Sequence, residues 1–168
     1  IWHGRVSAGH THLCWLSPDT ACDAALCVAR LAHNRAGHSG GDIHAWLALQ
    51  QKLVIYGCSI FNSSAGLLGG FTKVIGAITA VAGSSFVGCS AGAGGGGALH
   101  VDGGDSSVLT AAYNTWAMSL HLIRTVLANN SAAGPGGAEA TSRLTSVTAI
   151  DALVLNNTAG AGGGGGIR

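Results

Sequence analysis

Residues 157–164 read Asn-Thr-Ala-Gly-Ala-Gly-Gly-Gly, and four earlier segments of the chain repeat this pattern. If the first residue of each segment is position zero, all five have Ala at +2 and Gly-Gly at +6 and +7. The other four are Asn-Arg-Ala-Gly-His-Ser-Gly-Gly from Asn34, Ser-Ser-Ala-Gly-Leu-Leu-Gly-Gly from Ser63, Cys-Ser-Ala-Gly-Ala-Gly-Gly-Gly from Cys89 and Asn-Ser-Ala-Ala-Gly-Pro-Gly-Gly from Asn130. Agreement at fixed offsets indicates an internal repeat, which is the sequence signature of solenoid proteins.

The residues that precede each segment repeat as well. Position −3 is always apolar, and positions −8 and −10 are mostly apolar, which is typical of strands with one buried face. Successive repeats are separated by 29, 26, 41 and 27 residues, a length that suits one coil each. Position −3 holds Leu31, Ile60, Phe86, Leu127 and Val154; position −8 holds Leu26, Ile55, Val81, Leu122 and Ala149; position −10 holds Ala24, Leu53, Thr79, Leu120 and Val147.

These patterns predict an all-β fold, a parallel β-helix of about five coils that forms one domain over residues 1–168. The right-handed form is favoured because parallel crossovers are almost always right-handed and no hexapeptide period is present. We expect an insertion at residues 3–25 in the first coil and an excursion at 101–117 in the longest coil. Neither end of the sequence has a polar cap, so we expect the solenoid to be uncapped at both ends.

Position zero is expected to form a ladder of stacked turn residues. Asparagine tolerates the left-handed conformation and bonds to nearby backbone, and it occupies three of the five positions. The predicted ladder consists of Asn34, Ser63, Cys89, Asn130 and Asn157.

The motif Phe-x-x-Asn followed by Gly-Gly-Ala-[Ile/Leu/Val] resembles the repeat of the chlamydial polymorphic outer membrane proteins. It is matched here by Phe86 to Cys89, by Leu127 to Asn130, by Val154 to Asn157 and by the Gly-Gly-Ala triplets at 96–98 and 136–138. The resemblance covers residues 24–168, although only one coil has the phenylalanine. It implies a β-helix and a surface location, but no particular activity.

Three N-glycosylation sequons begin at Asn62, Asn129 and Asn156, and all three acceptors occupy position −1. If position zero points inward, position −1 should point outward. We therefore expect the acceptors to lie on one side of the solenoid, with covalent glycans on at least one of them.

Five cysteines leave at least one unpaired within the chain. Cys14, Cys22 and Cys27 are the disulfide candidates, with Cys14 bonded to either of the other two, whereas Cys58 and Cys89 should not be bonded to each other. His10, His12 and Cys14 alternate as metal ligands can, but no fourth ligand is evident, and an exposed polar loop is the simpler interpretation. Asp102 and Asp105 are too few for a calcium site. We therefore predict no metal and no cofactor.

Parallel β-helices include polysaccharide lyases and hydrolases, and glycoside hydrolysis needs paired carboxylates. The acidic residues have different offsets in their coils, so we predict no catalytic residues and no enzymatic activity. They are Asp19, Asp23, Asp42, Asp102, Asp105, Glu139 and Asp151.

Only 9% of the residues are charged and the formal net charge is +1, which argues against a nucleic-acid partner. The uncharged stretch 74–99 is long enough for a membrane span, but its glycines and serines make a poor helix, and we expect no span.

The two ends of the sequence are in phase, because Ile167-Arg168-Ile1-Trp2 would match the Ile43 to Trp46 stretch. The chain is then either a segment of a longer array or a subunit that forms a homo-oligomer or filament by end-to-end stacking. We expect a structural part of an extracellular or cell-surface glycoprotein fibre. A surface adhesin or carbohydrate-binding β-helix is the alternative, and a glycan array would separate the two.

Overall fold

The computed structural model describes residues 13–15, 24–27, 29–46, 52–75, 78–102, 119–142, 146–160 and 162–168. These residues form twenty β-strands and no helix. Every strand pairing among them is parallel except that of β1 with β2. The predicted all-β solenoid, a parallel β-helix, is therefore confirmed.

The strands form four sheets, here named I to IV in the order in which the chain visits them in each coil. Sheet I contains β1 (Leu13–Trp15), β2 (Ala24–Cys27), β6 (Lys52–Tyr56), β10 (Ile78–Ala82), β14 (Ser119–Ile123) and β18 (Ser146–Ile150). Sheet II contains β3 (Arg30–Ala32), β7 (Ser59–Phe61), β11 (Ser85–Val87), β15 (Val126–Ala128) and β19 (Leu153–Leu155). Sheet III contains β4 (Arg35–Ala36), β8 (Ser64–Ala65), β12 (Ser90–Ala91), β16 (Ser131–Ala132) and β20 (Thr158–Ala159). Sheet IV contains β5 (Ile43–Trp46), β9 (Thr72–Ile75), β13 (Leu99–Asp102) and β17 (Glu139–Ser142).

The described residues make five coils, numbered one to five from the N-terminal side, and their register follows the repeat. The residues at −3 pair with one another in succession from coil one to coil five, as predicted. The same holds for positions −8 and −10 in sheet I and for the alanines at +2 in sheet III. Residues of equal offset therefore stack directly, about 4.8 Å apart.

The predicted glycine register is wrong in coils three and five. Leu99 pairs with Thr72 although its offset is one residue larger, and Ile167 bridges Glu139 in the same way. Each of these coils carries one extra residue in the turn before sheet IV. The true equivalents of the Gly-Gly pair are residues 96–97 and 164–165, at +7 and +8.

The second glycine of each pair is required by a close approach between coils. A Cβ atom on Gly97 would lie 1.9 Å from the carbonyl oxygen of Gly137, and one on Gly70 would lie 2.0 Å from that of Gly97. The first glycine has a positive φ, for example 66° at Gly136. The pair thus combines a left-handed turn with a backbone contact that a side chain would prevent.

The core consists of the inward columns of the four sheets. Ile60, Phe86 and Leu127 are completely buried at position −3. The rings of Phe71 and Phe86 pack at a centroid distance of 5.1 Å and an angle of 55°, and they fill the centre of coils two and three.

The edge of the solenoid at coil one differs from the prediction of an uncapped end. Strand β1 pairs antiparallel with β2 and so covers the edge of sheet I. In sheets II, III and IV the first described strands are β3, β4 and β5. The predicted insertion thus contributes an edge strand, and residues 101–102 of the predicted excursion belong to β13. Residues 103–118 lie outside the described part of the chain.

Candidate functional site: the asparagine corner

The asparagine corner is the bend between sheets II and III, made by positions −1 and zero. Position −1 has a positive φ in every coil, at His33 (58°), Asn62 (53°), Gly88 (69°), Asn129 (54°) and Asn156 (50°). Asparagine, histidine and glycine are the residues that adopt this conformation most readily. The left-handed residue turns the chain, so that position zero points into the core and position −1 points to solvent.

On the inner side, Asn130 and Asn157 bond each coil to the one before it. The Asn130 side chain donates from Nδ2 to the Phe86 carbonyl at 3.0 Å, and its Oδ1 accepts from the Cys89 backbone N–H at 2.9 Å. Asn157 repeats both contacts one coil later, donating to Leu127 at 2.9 Å and accepting from Asn130 N–H at 2.9 Å. The predicted ladder is therefore an actual hydrogen-bond ladder in coils four and five, where both rungs hold asparagine.

The ladder changes its chemistry in the earlier coils. Ser63 and Cys89 are completely buried at position zero. Burial raises the pKa of the Cys89 thiol to about 12, so the thiol is protonated at neutral pH. In coil one, Asn34 instead donates to the Asp42 carboxylate.

Asp42 occupies an inward position that Phe71 fills in coil two. Burial raises the pKa of this carboxyl group, while the side chains of Ser63 and Asn34 lower it and offset part of that rise. The sequence pattern did not identify this pair. The signal was available, because Asp42 at +8 aligns with buried Phe71, at the same offset, and Ala98, one residue later.

A second corner, between sheets I and II, also consists of a left-handed residue followed by an inward residue. Gly57, Gly83, Arg124 and Asp151 have positive φ there, and each is followed by a residue that turns inward. The following residue in coil three is Ser84, whose hydroxyl oxygen accepts from the Cys58 backbone N–H at 3.1 Å. In coil four it is Thr125, which donates to the Val81 carbonyl at 3.0 Å. This corner also escaped the sequence interpretation, because its residue types vary more from coil to coil.

The three sequon acceptors lie on the outer side of the asparagine corner. Asn62, Asn129 and Asn156 are exposed, and they follow sheet II strands at the same offset. Backbone N–H groups of Asn62 and Asn129 donate to the carbonyls of Val87 and Leu155 in the next coil, which keeps position −1 in a stacked column. The expected common side of the acceptors is therefore confirmed, and their modification stays a prediction.

The cysteines divide into a described and an undescribed group. Cys58 and Cys89 are buried and are not bonded to each other, as predicted. The candidate disulfide partners Cys14, Cys22 and Cys27 have side chains outside the described residues, as do His10, His12 and Asp105.

The described acidic residues are scattered. Asp42 and Glu139 point into the core of coils one and four, while Asp151 is exposed at the corner between sheets I and II. Asp102 lies on β13 near His100, whose buried imidazole has its pKa lowered to about 4, chiefly by desolvation and also by Lys73.

Within the part of the chain that the structure describes, no three His, Cys, Asp or Glu side chains converge on a common point that could hold a metal ion.

Comparison with known proteins identifies no relative. No protein-family model matches the sequence, and neither a curated protein nor a solved structure matches it. Among the described residues, no helix is long and apolar enough to cross a membrane.

Proposed function

We propose that this chain is a structural, non-catalytic segment of an extracellular or cell-surface glycoprotein fibre, in which β-helix coils stack end to end. The observation that carries this proposal is the exposed cross-section of coil five. Its inward column residues have the same register as buried residues of coil four, yet they are partly open to solvent.

The contrast between the two coils is direct. At position −10, Leu120 in coil four is 0% exposed and Val147 in coil five is 37% exposed. At position −3, Leu127 is completely buried, whereas Val154 is half-buried. One further coil would cover Val147 and Val154 as coil five covers Leu120 and Leu127. Burial of such a side chain from full exposure contributes about 1.5–3 kcal/mol, and the further coil would add the share that is still open to water, 37% for Val147.

The strand edges of coil five also favour the addition of a further coil at this end. Strands β18, β19 and β20 are the last of sheets I, II and III, so each presents one edge to the next coil. An unpaired edge beside an apolar cross-section favours addition of another strand. Strand β1 already covers sheet I at coil one, and we therefore place the joint at coil five.

Two further features support the extracellular part of the proposal. The sequon acceptors form an exposed column, as an N-glycosylated secreted protein requires. The repeat also resembles that of a family of surface proteins. Glu139 is completely buried in coil four and Asp42 is half-buried in coil one, and this separation favours a structural role over a carboxylate-based hydrolase.

Sedimentation velocity of the purified chain over a range of concentrations tests the stacking. We expect self-association through the face of coil five, so that the weight-average mass rises with concentration. Val147→Asp places a charge in this face and should give monomers. Thr148→Asp is the matched control, because Thr148 alternates with the inward positions Val147 and Ala149 and therefore lies on the outer face of the same strand; it should leave association intact.

Two results would contradict the proposal. One is a wild-type chain that stays monomeric at every concentration. The other is equal loss of association in the Val147→Asp and Thr148→Asp variants, which would indicate a contact through the side of the solenoid instead of its end.

A further inference from the structure

The three sequons occupy one column, but their neighbours along that column differ. From coil one to coil five the column reads His33, Asn62, Gly88, Asn129 and Asn156. In the next coil, the residue that stacks on Asn62 is Gly88, which has no side chain. The residue that stacks on Asn129 is the acceptor Asn156. Equal offsets are about 4.8 Å apart in successive coils, so Asn62 and Asn129 are separated by about twice the distance between Asn129 and Asn156.

The side chain of Asn62 uses the space that Gly88 leaves. A Cβ atom on Gly88 would lie 2.3 Å from Asn62 Oδ1 and 3.4 Å from its Cγ. The Asn62 side chain therefore extends along the column toward coil three, over the glycine backbone.

Asn129 has nearly the same backbone conformation as Asn62, with φ of 54° against 53°. In its case the space in the next coil belongs to Asn156, which has a side chain and its own sequon. An N-linked glycan is bulky and branched, and it is much wider than one rung. Two glycans rooted on adjacent rungs of a rigid column would compete for the same volume.

We propose that folded molecules carry a glycan on Asn62 and on only one of Asn129 and Asn156, so that no folded molecule carries three. This inference depends on the N-glycosylation included in the proposed function. In the reaction, the acceptor Nδ2 attacks C1 of the sugar in a polyprenyl-pyrophosphate-linked oligosaccharide. The new C–N bond replaces the C1–O bond to phosphate, the polyprenyl pyrophosphate leaves with the electron pair, and the amide loses a proton.

The competition arises when the coils stack. In the extended chain Asn129 and Asn156 are 27 residues apart, and a transferase can reach either of them. Once one acceptor carries a glycan and the coils form, the other lies beneath it. A chain modified at both positions cannot stack coils four and five without displacing one glycan from the column.

The test is expression of the chain through a eukaryotic secretory pathway, followed by intact-mass and glycopeptide analysis of the folded, protease-resistant product. We expect species with at most two glycans. Thr158→Ala removes the sequon at Asn156 but keeps the asparagine side chain, and if the pair shares one glycan evenly it should raise Asn129 occupancy about twofold. Asn156→Gln should have the same effect, and it serves as a second variant if Thr158→Ala folds poorly.

Gly88→Asn provides the converse test. Asparagine tolerates the positive φ at this position, and the substitution creates a sequon with Ser90 in the space that Asn62 now uses. Occupancy at Asn62 should fall in this variant, while the combined occupancy of Asn129 and Asn156 should stay constant.

The possible outcomes distinguish the proposed glycosylation from the proposed exclusion between Asn129 and Asn156. Secretion of a folded chain without any glycan would refute the glycoprotein part of the proposed function. A folded molecule with glycans at all three sites would overturn the exclusion and leave glycosylation intact. Unchanged Asn129 occupancy in both Thr158→Ala and Asn156→Gln would overturn it as well.

Discussion

Replacing Glu139 by leucine removes a buried carboxyl group from the core of coil four. The side chain is 0% exposed, and neither carboxyl oxygen has a hydrogen-bond partner. Burial raises its pKa well above 4.5. The neighbours above and below it in the column are Ile167 and Leu99, so a leucine matches its surroundings.

The sign of the pH effect follows from this raised pKa. The folded protein binds the proton more tightly than the unfolded chain, so the stabilisation is complete below about pH 4.5 and is lost as pH rises toward the folded pKa. Within that window the loss is about 1.4 kcal/mol per pH unit. His100 acts in the opposite direction between about pH 4 and 6.5, because its folded pKa is lowered.

The assay is urea unfolding followed by circular dichroism at pH 5, 6, 7 and 8, with Glu139→Leu compared with wild type at each pH. The difference in unfolding free energy isolates Glu139 from His100, Asp42 and the other titrating groups, which both proteins share. We expect Glu139→Leu to be more stable, with an advantage that grows with pH. Glu139→Gln should also lose the pH dependence, but with a smaller gain, because a buried amide still needs partners.

Asp151→Asn is the matched control, since this carboxyl group is exposed at a corner and its loss should change little. A stability difference between wild type and Glu139→Leu that stays constant from pH 5 to pH 8 would refute the reasoning. So would a leucine variant less stable than wild type at pH 8.

Three further predictions concern the ladder, the glycines and the buried thiol. Asn130→Ala should lower the unfolding free energy by about 2–4 kcal/mol, since it leaves the Cys89 N–H and the Phe86 carbonyl buried without partners; a loss below 1 kcal/mol in urea unfolding would contradict the ladder. Gly97→Ala should prevent stable folding because its Cβ would meet the Gly137 carbonyl, whereas Gly37→Ala should be neutral because nothing lies within 4 Å; equal melting temperatures would contradict this contact. Native Cys89 should resist alkylation by iodoacetamide at pH 8 and react after unfolding, because burial raises its pKa to about 12. Mass spectrometry measures the modification, and rapid alkylation of the folded chain would contradict the burial of this thiol.

The repeat was sufficient to predict the parallel β-helix and the register of sheets I to III. The apolar residues at −3 and the alanines at +2 recur at constant offsets, and the strands pair with the same offsets. The reason is physical: each coil must place like residues above like residues to keep the core filled and the backbone bonded.

The register of sheet IV could not be predicted in the same way. Residues 94–97 and 162–166 are runs of glycine, and a one-residue shift within such a run leaves the sequence pattern unchanged. The extra residue in coils three and five became evident only from the pairing of Leu99 and the bridge of Ile167.

The buried acids and the covered edge at coil one also escaped prediction. Glu139 shares the offset +9 with Ile43 and Thr72, but the inward columns were predicted only at −10, −8, −3 and zero, so its burial was not anticipated. Strand β1 lies in an insertion that has no counterpart in the other repeats, so the repeat carries no information about it. The asparagine corner was predicted only in part. The inward ladder at position zero was expected, but the left-handed conformation that was assigned to position zero belongs to position −1.

Electron cryomicroscopy of the assembled protein tests the central claim, that coil five stacks on further β-helix, most directly. We expect density for another rung about 4.8 Å beyond β18, β19 and β20, with Val147 and Val154 covered by its side chains. Particles in which coil five ends in solvent, with both valines open to water, would contradict it.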